Sequence, residues 1–456
     1  MKTLNTMSAR WKKTKIGQFL FEREGKYRPD DEIVTGIKRI DKIDFSGNFH
    51  IATKPSKTNM ILVKPGDFVI SGINVSKGAM GIYTGKENIT ATIHYSSYTF
   101  DIEQINVEYF KRFLKSLEFV RLLQEQVKGG IKTEIKPKHI LQIEIDLPDI
   151  EEQQRIVSYF QNIETEDKEL QEEIGHQQTL LKNLRQQILQ EAIEGKLTAE
   201  WRQQNPDVEP ANELLSRIQA EKEQLIKDKK IKKQKPLPPI SDEEKPFDLP
   251  DGWVWCRLGD AGLINPRNNA DDKNIAGFSP MPYVNHKFGI HPRFQTREWG
   301  EIKKGFTHFA ENDIIIAKIT PCFENSKAGI IQNIPGSIGA GTTELHVVRV
   351  NIDDILPEYV YILVKIESFL INGKKLMKGA VGQKRVPKEY IEKLIIPLPP
   401  LPEQKAVATK VEKLLTLCDQ METQITVSQT YAKQLMQAVL KEAFSQNSAE
   451  SKQTAM

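Results

Sequence analysis

The chain has 456 residues, of which 27% are charged, with a formal net charge of +3 and a mean hydropathy of −0.46. These totals leave room for two to four domains, each able to bury a core, and argue against a membrane protein, since no apolar run approaches a membrane span. The start, MKTLNTMSARWKKTKIG, lacks the apolar stretch of a signal peptide, and Cys256, Cys322 and Cys418 carry no metal-ligand spacing, so a reduced cytoplasmic compartment is expected.

In chain order, Ile16 to Phe21 reads as a short helix. The apolar runs Ile33–Ile37, Met60–Val63, Phe68–Ile70 and Ala79–Tyr83 read as strands, separated by turn signals such as Lys64-Pro65-Gly66-Asp67. Val107 to Gln126 reads as a helix, followed by a basic glycine loop, Lys128 to Lys132. Ile140 to Leu147 reads as a strand that Pro148 stops. A helix from about Glu151 to about Leu197 would span roughly 70 Å. A charged helix runs from Ala211 to about Ile231 and ends in a lysine run, Lys227 to Lys235. The stretch PLPPISDEEKPFDLP, 236–250, holds five prolines and reads as a linker. After it, Gly252-Trp253-Val254-Trp255 opens a second series: strands at Ile314–Ala317, Gly329–Ile331 and Leu345–Val350, a helix from Tyr359 to Leu370, a glycine loop from Lys378 to Arg385, a strand Leu394–Leu398, and a last helix ending near Phe444.

The two long helices share one pattern. Ile156, Phe160, Ile163, Asp167, Leu170, Ile174, Gln177, Leu181, Leu184, Ile188 and Glu191 follow an unbroken 4-3 spacing, the seam of a coiled coil. An offset of 251 residues gives Val407, Val411, Leu414, Cys418, Met421, Ile425, Ser428, Ala432, Leu435, Val439 and Glu442. The flanks keep the offset, with Leu147, Pro148, Glu152 and Gln153 matching Leu398, Pro399, Glu403 and Gln404. The chain therefore reads as two tandem halves. The fold class expected is α+β: two globular mixed α/β domains separated by a long antiparallel coiled coil of two spacer helices, with pseudo-twofold symmetry. The expected divisions are 1–147, first globular domain; 148–235, central spacer and charged helix; 236–250, linker; 251–398, second globular domain; 399–445, C-terminal spacer; and 446–456, polar tail.

No catalytic constellation appears. The eight histidines are scattered without a close metal pair, and no Walker loop, dinucleotide fingerprint or nucleophile elbow is present. Metal ligands and catalytic residues are therefore expected to be none. Two similar units on a rigid rod suit duplex DNA, whose backbones have twofold symmetry. A two-headed adaptor for protein partners fits the same pattern.

Several stretches resemble the specificity (S) subunit of type I restriction–modification systems. Pro399-Pro400-Leu401-Pro402-Glu403-Gln404-Lys405 is similar to the signature opening that family's spacer helices, and Pro148 to Gln153 is a weaker copy with Glu151 in place of the second proline. Leu181 to Leu197 with Thr198-Ala199 resembles the end of the central spacer, and Leu249 to Trp255 the entry to the second target-recognition domain. The resemblance implies that each globular domain reads half of a split, asymmetric DNA sequence while the helices set the gap. It also implies partners: two DNA methyltransferase (modification) subunits, which bind S-adenosylmethionine and methylate adenine N6, and restriction subunits that use ATP and Mg. This chain would bind no cofactor and catalyse nothing.

Base and backbone contacts need donors, acceptors and cations in loops at a groove. The candidates are Lys54, Lys57, Thr58, Asn59, Asn74, Ser76 and Lys77 in the first half, and Lys318, Thr320, Lys327, Thr342 and Thr343 in the second. The glycine loops add Lys128, Lys132, Lys378, Gln383, Lys384 and Arg385. Trp11, Trp253, Trp255 and Trp299 are expected to pack rather than stack on bases. The basic run Lys227 to Lys235 could meet the DNA backbone or be a solvated helix end.

Overall fold

A computed structural model describes residues 11–44, 46–52, 57–72, 78–125, 136–229, 231, 233, 235–380 and 382–445, with side chains of the last helix described to residue 439. The chain forms two compact units: residues 1–175 with 426–456, and residues 176–425.

The first unit opens with β1 (Lys12–Lys15), a 3-10 turn at Ile16–Gln18 and β2 (Leu20–Glu22). It continues through β3 (Ile40–Ile43), β4 (Phe49–Ile51), β5 (Met60–Val63), β6 (Phe68–Ser71), β7 (Met80–Ile82), β8 (Ile89–Thr92) and β9 (Tyr95–Phe100). Then come α1 (Val107–Phe113), α2 (Leu117–Glu125), α3 (Pro137–Ile140), β10 (Glu144–Leu147) and the 44-residue α4 (Ile150–Ile193), which leaves for the second unit. Strand β1 pairs with β10, a four-stranded sheet has the order β2-β9-β6-β7, and β3-β4 and β5-β8 form separate pairs joined by a parallel bridge between Arg39 and Thr90.

The second unit contains α5 (Ala199–Gln204), α6 (Ala211–Lys227), β11 (Val254–Arg257), α7 (Leu258–Ala261), β12 (Leu263–Ile264), β13 (Ile275–Ser279), β14 (Gln295–Glu298), α8 (Trp299–Ile302) and β15 (Thr307–Ala310). After these come β16 (Ile314–Ala317), β17 (Ala328–Ile330), β18 (Ile338–Gly341), β19 (Leu345–Arg349), α9 (Pro357–Lys365), α10 (Glu367–Lys375), α11 (Lys388–Glu392), β20 (Ile395–Leu398) and α12 (Leu401–Ser445), whose last part returns to the first unit. The topology repeats that of the first unit. Strand β11 pairs with β20, β12-β19-β16-β17 copies β2-β9-β6-β7, and β14-β13-β18-β15 is a full sheet where the first unit has two pairs and a bridge. Strands β13 and β18 run parallel; the other ladders are antiparallel.

Side-chain chemistry repeats with the topology. Buried Gln153 accepts from the Asn106 amide at 2.7 Å and donates to the Gln104 and Pro148 carbonyls. Buried Gln404 accepts from the Leu356 amide at 2.8 Å and donates to Asp354 and Pro399. Each glutamine satisfies three buried backbone groups at once, which fixes where a long helix leaves its sheet. Asp67 and Asp313 are a second such pair. Each is buried and accepts from a turn amide, Lys64 or Ala310, and each holds an arginine, Arg23 or Arg349. An edge-to-face aromatic ladder fills the first core, with Phe110 against Phe19, Phe68 and Phe100, and Ile156 and Phe160 of α4 are part of that core.

Several expectations change. Ile33–Ile37 is a turn segment with Val34 buried, because an apolar run without period-two alternation does not specify a strand. Ile16–Phe21 splits into a 3-10 turn and β2, with Ile16 and Gly17 held by the Ile143 and Leu141 carbonyls. The helix expected over Val107–Gln126 is two helices, the second started by Ser116, whose hydroxyl accepts from the Phe119 amide. Ile366, in extended conformation, divides Tyr359–Leu370 in the same way. Of Ile140–Leu147 only Glu144–Leu147 is a strand; Ile140 ends α3. The charged helix ends at Lys227, not near Ile231. Helix α4 stops at Ile193 rather than Leu197, because Gly195 takes a φ of 71° and the Lys196 amide turns back to the Glu191 carbonyl at 3.0 Å. A side chain at Gly195 would also strike Pro250 at 2.6 Å.

The proline-rich stretch is not a free tether. Arg257 donates to the Pro238 carbonyl at 2.7 Å and pairs with Glu244, and Phe247 lies 4.9 Å from Trp255. Extended segments satisfy their carbonyls where they can, and here a buried arginine offers several donors.

Candidate nucleic-acid interface

In the second unit the ends of three elements meet. Strand β16 ends at Ala317, β19 begins at Leu345, and the glycine loop lies between α10 and α11. The Lys318 amide donates to the Glu344 carbonyl at 2.9 Å, and the Val386 amide donates to the Lys318 carbonyl at 2.8 Å. The Thr320 amide donates to the Lys384 carbonyl at 2.9 Å. The loop closes on itself through Lys378 and Arg385, whose amides and carbonyls pair at 2.8 and 3.0 Å. Gly379 and Gly382, with φ of 126° and 79°, make the reversal possible. Thus Lys318, Thr320, Thr342, Thr343, Lys378, Gln383 and Lys384, distant in sequence, share one surface.

Arg385 sits in the same surface but is already engaged. Its guanidinium forks onto Glu344 at 2.7 and 2.8 Å, and the ion pair holds that carboxyl below its usual range. Arg385 therefore ties the loop to the start of β19 instead of presenting a free charge. Burial draws the Lys318 ammonium pKa below its ordinary value. Lys327 points elsewhere, its ammonium reaching the Met281 carbonyl at 3.4 Å.

Beside these residues lies a cleft of about 350 Å³, lined by Asn265, Arg267, Phe306, His308, Lys318 and Thr343 among others. Arg267 was absent from the sequence expectation. The signal available was the polar run Asn265-Pro266-Arg267-Asn268-Asn269 after β12, a turn composition carrying a cation. Asn265, at a φ of 55°, accepts from the Val347 amide at 2.8 Å and places Arg267 at the rim. His308 is buried against Trp299 and accepts from the Asn268 amide through Nδ1 while Nε2 donates to the Lys303 carbonyl at 2.9 Å, so the ring is neutral.

His346 anchors the far side of the loop. Its Nε2 donates to the Val386 carbonyl at 2.9 Å, and Asn265 faces Nδ1 at 3.3 Å. Burial lowers its pKa from 6.5 to about 4. The depressed folded value means that the unfolded chain binds the proton first. The stability this gives is complete above pH 6.5 and is lost as pH falls from 6.5 towards 4, by up to about 3 kcal/mol. Urea titrations between pH 7 and pH 4 should show this loss, and His346→Gln should remove that part of the slope.

In the first unit, Lys57, Thr58 and Asn59 are exposed just ahead of β5. Lys54, Asn74, Ser76, Lys77, Lys128 and Lys132 lie outside the described residues, as do Lys230 and Lys232 of the lysine run. Trp11 packs on the first core, Trp253 is buried, and Trp299 is buried in a small core with Ile302.

The seam is buried in alternating stretches. Ile156, Phe160, Ile174, Leu181 and Ile188 of α4, and Val407, Val411, Cys418, Ile425 and Ala432 of α12, are covered. Ile163 and Leu414 are half-buried, and Val439 packs on the cluster containing Phe160. Leu170, Leu184, Met421 and Leu435 are exposed, by 40% to 63%. In the second unit Arg185 of α4 binds Asp419 and Glu422 of α12. Among the described residues no group of three or more His, Cys, Asp or Glu could hold a metal, and no helix is long and apolar enough to cross a membrane.

Residues 250–428 match the family described as the type I restriction modification DNA specificity domain. The chain is 49% identical over 261 residues to the EcoAI specificity subunit of Escherichia coli, covering 57% of this chain and 44% of that relative. It is 47% identical over 262 residues to the EcoEI specificity subunit of the same organism, covering 57% and 43%. The matched part is thus less than half the length of either relative. The EcoDI specificity subunit is 24% identical over 364 residues, 79% of this chain and 74% of the relative. A chain solved in work on complex assembly and conformational transition of the type I R-M system aligns over 96% of this chain and 98% of its own, with a TM-score of 0.60 at 14% identity. The HsdS subunit from Thermoanaerobacter tengcongensis aligns over 97% and 99%, with a TM-score of 0.52 at 15% identity. The fold, two similar mixed α/β domains linked by long interacting helices, is shared with both.

Proposed function

We propose that this chain, which belongs to the type I restriction–modification specificity-subunit family, addresses duplex DNA for a methylating and restricting complex. In this reading residues 1–147 and 251–398 are two target-recognition domains, each reading half of a split sequence. Helices α4 and α12 set the gap and hold two methyltransferase subunits, and the chain itself is not catalytic. S-adenosylmethionine would act on the methyltransferase subunits, and ATP and Mg on restriction subunits.

The observation that carries the reading is one fold built twice in one chain, each copy leading through a buried glutamine, Gln153 or Gln404, into a helix of 44 or 45 residues. Two similar architectures joined by helices make sense when two similar objects must be met at a set separation, as in a bipartite DNA site. The cluster of Lys318, Thr320, Thr342, Thr343, Lys378, Gln383 and Lys384 supports a groove-facing surface of cations and hydroxyls in the second domain.

A gel-shift titration of the assembled methyltransferase tests the reading. Binding should depend on DNA sequence, weaken steeply with salt, and fail when the gap between half-sites changes by one base pair. Binding indifferent to sequence would replace this reading with that of a protein adaptor.

A further inference from the structure

The second sheet of the second unit ends in an exposed edge strand, β14, whose four residues all face solvent. Gln295 and Arg297 alternate on β14 and so share one face, and Arg293, two residues before Gln295, lies over the same Tyr283 that Gln295 reaches. Each side chain is held. The Arg297 guanidinium lies over the Phe278 ring, 4.6 Å from its centre, and donates to Gln295 Oε1 at 3.0 Å. Gln295 donates in turn to the Tyr283 hydroxyl at 3.4 Å, and Arg293 lies over the Tyr283 ring at 4.9 Å. No carboxylate is among these partners. Long exposed arginines usually retain rotamer freedom; here two aromatic faces and one amide remove it.

The strip is continuous with the cleft described above. Phe278 and Phe306 meet edge-to-face at 5.0 Å, Arg267 donates to the Phe306 carbonyl at 3.3 Å, and Phe306, Arg267 and Lys318 line one cleft. A row of fixed donors on a strand thus adjoins a cleft flanked by two cations.

We propose that β14 is the strand by which the second domain reads base edges in the DNA major groove, with Arg297 as a specificity-determining residue and Arg267 and Lys318 as phosphate anchors. This rests on the DNA-addressing reading. A strand or ribbon fits the major groove, and a planar guanidinium presents the fork that guanine's two acceptors match. The Phe278 ring under the guanidinium restricts its rotamers, and Gln295 takes one of its five N–H donors, leaving the others for base acceptors. A bare need to guard a sheet edge would be met by any charge and would not require the aromatic bed.

The test uses the assembled methyltransferase containing the full chain and a DNA panel in which every position of the second half-site is changed singly, after methylated adenines have located the site. Arg297→Ala should reduce discrimination at one or two adjacent positions by about ten- to a hundredfold and leave the other positions as they were. Arg297→Lys keeps the charge but lacks the fork, and should lose the same discrimination. Arg267→Ala should weaken all sequences alike and lower the salt slope by about one. If both Arg297 variants keep every base preference of the wild type, β14 is only a guarded edge and the inference falls. If the wild-type complex itself shows no sequence preference, the DNA-addressing reading falls before any variant is made.

Discussion

Deleting residues 168–174 from α4 together with 429–435, about opposite them in α12, should reduce binding of the split site to the non-specific level, a thousandfold loss or more. Seven residues are two turns, so the 4-3 seam stays in phase and the helices can still pair. The rise removed is about 10 Å. That distance is about three base pairs, over which duplex DNA rotates by roughly 100°. A half-site brought closer by that amount would face away from its domain, so widening or narrowing the DNA gap should rescue binding poorly. DNA carrying one half-site alone should bind as it does to the intact protein, because each domain keeps its own core. The measurement is a gel-shift series over gap lengths. An unchanged gap preference would mean that α4 and α12 do not act as the ruler.

Much of this architecture is legible in the residues because the physics that sets it is local or periodic. The 4-3 spacing announces long paired helices, and the constant offset from Ile156 to Val407 announces the repeat before any strand is placed. Gln153 and Gln404 are visible only as matched letters; their role needs the buried carbonyls and amides they satisfy. Strands such as β4 (Phe49–Ile51) and β9 (Tyr95–Phe100) escape because their burial does not alternate cleanly, and polar residues fill positions that an exposed loop would also accept. A seam also says which residues could be covered, not which are. Leu184 and Met421 hold the same pattern as Leu181 and Cys418, yet the first two are exposed and the last two buried. The site shows the same limit. Lys378, Lys384 and Arg385 look alike in a basic loop, but Glu344, 41 residues from Arg385, takes that arginine's charge. Arg297 gave no signal, because the ring that holds it, Phe278, comes from another strand.

Glu403→Ala should destabilise the second unit by about 3–5 kcal/mol. The carboxylate is 1% exposed and collects donors from three directions: Thr198 Oγ1 at 2.7 Å, Trp253 Nε1 at 2.8 Å, and Arg202 Nη2 at 2.7 Å. Arg202 also reaches the Gly195 carbonyl at 2.8 Å and lies over the Trp253 ring. One anion therefore joins the turn after α4, helix α5, the entry to β11 and the first turn of α12. Removing it leaves a half-buried guanidinium, an indole N–H and a hydroxyl without an acceptor. Arg202→Ala leaves the opposite charge buried alone and should cost a similar amount, whereas the double variant should cost less than the sum. Urea unfolding followed by tryptophan fluorescence measures all three. The repeat supplies the control. Glu152 stands 251 residues earlier, but its partner is Arg155 in its own helix, and that arginine's side chain is 59% exposed. Glu152 itself is 16% exposed, but its arginine lies in water, and a pair screened on that side contributes about 1 kcal/mol or less. Glu152→Ala should therefore be nearly silent at the same repeat position, and equal losses at the two sites would show that the junction around Glu403 is not what holds the second unit to its helices.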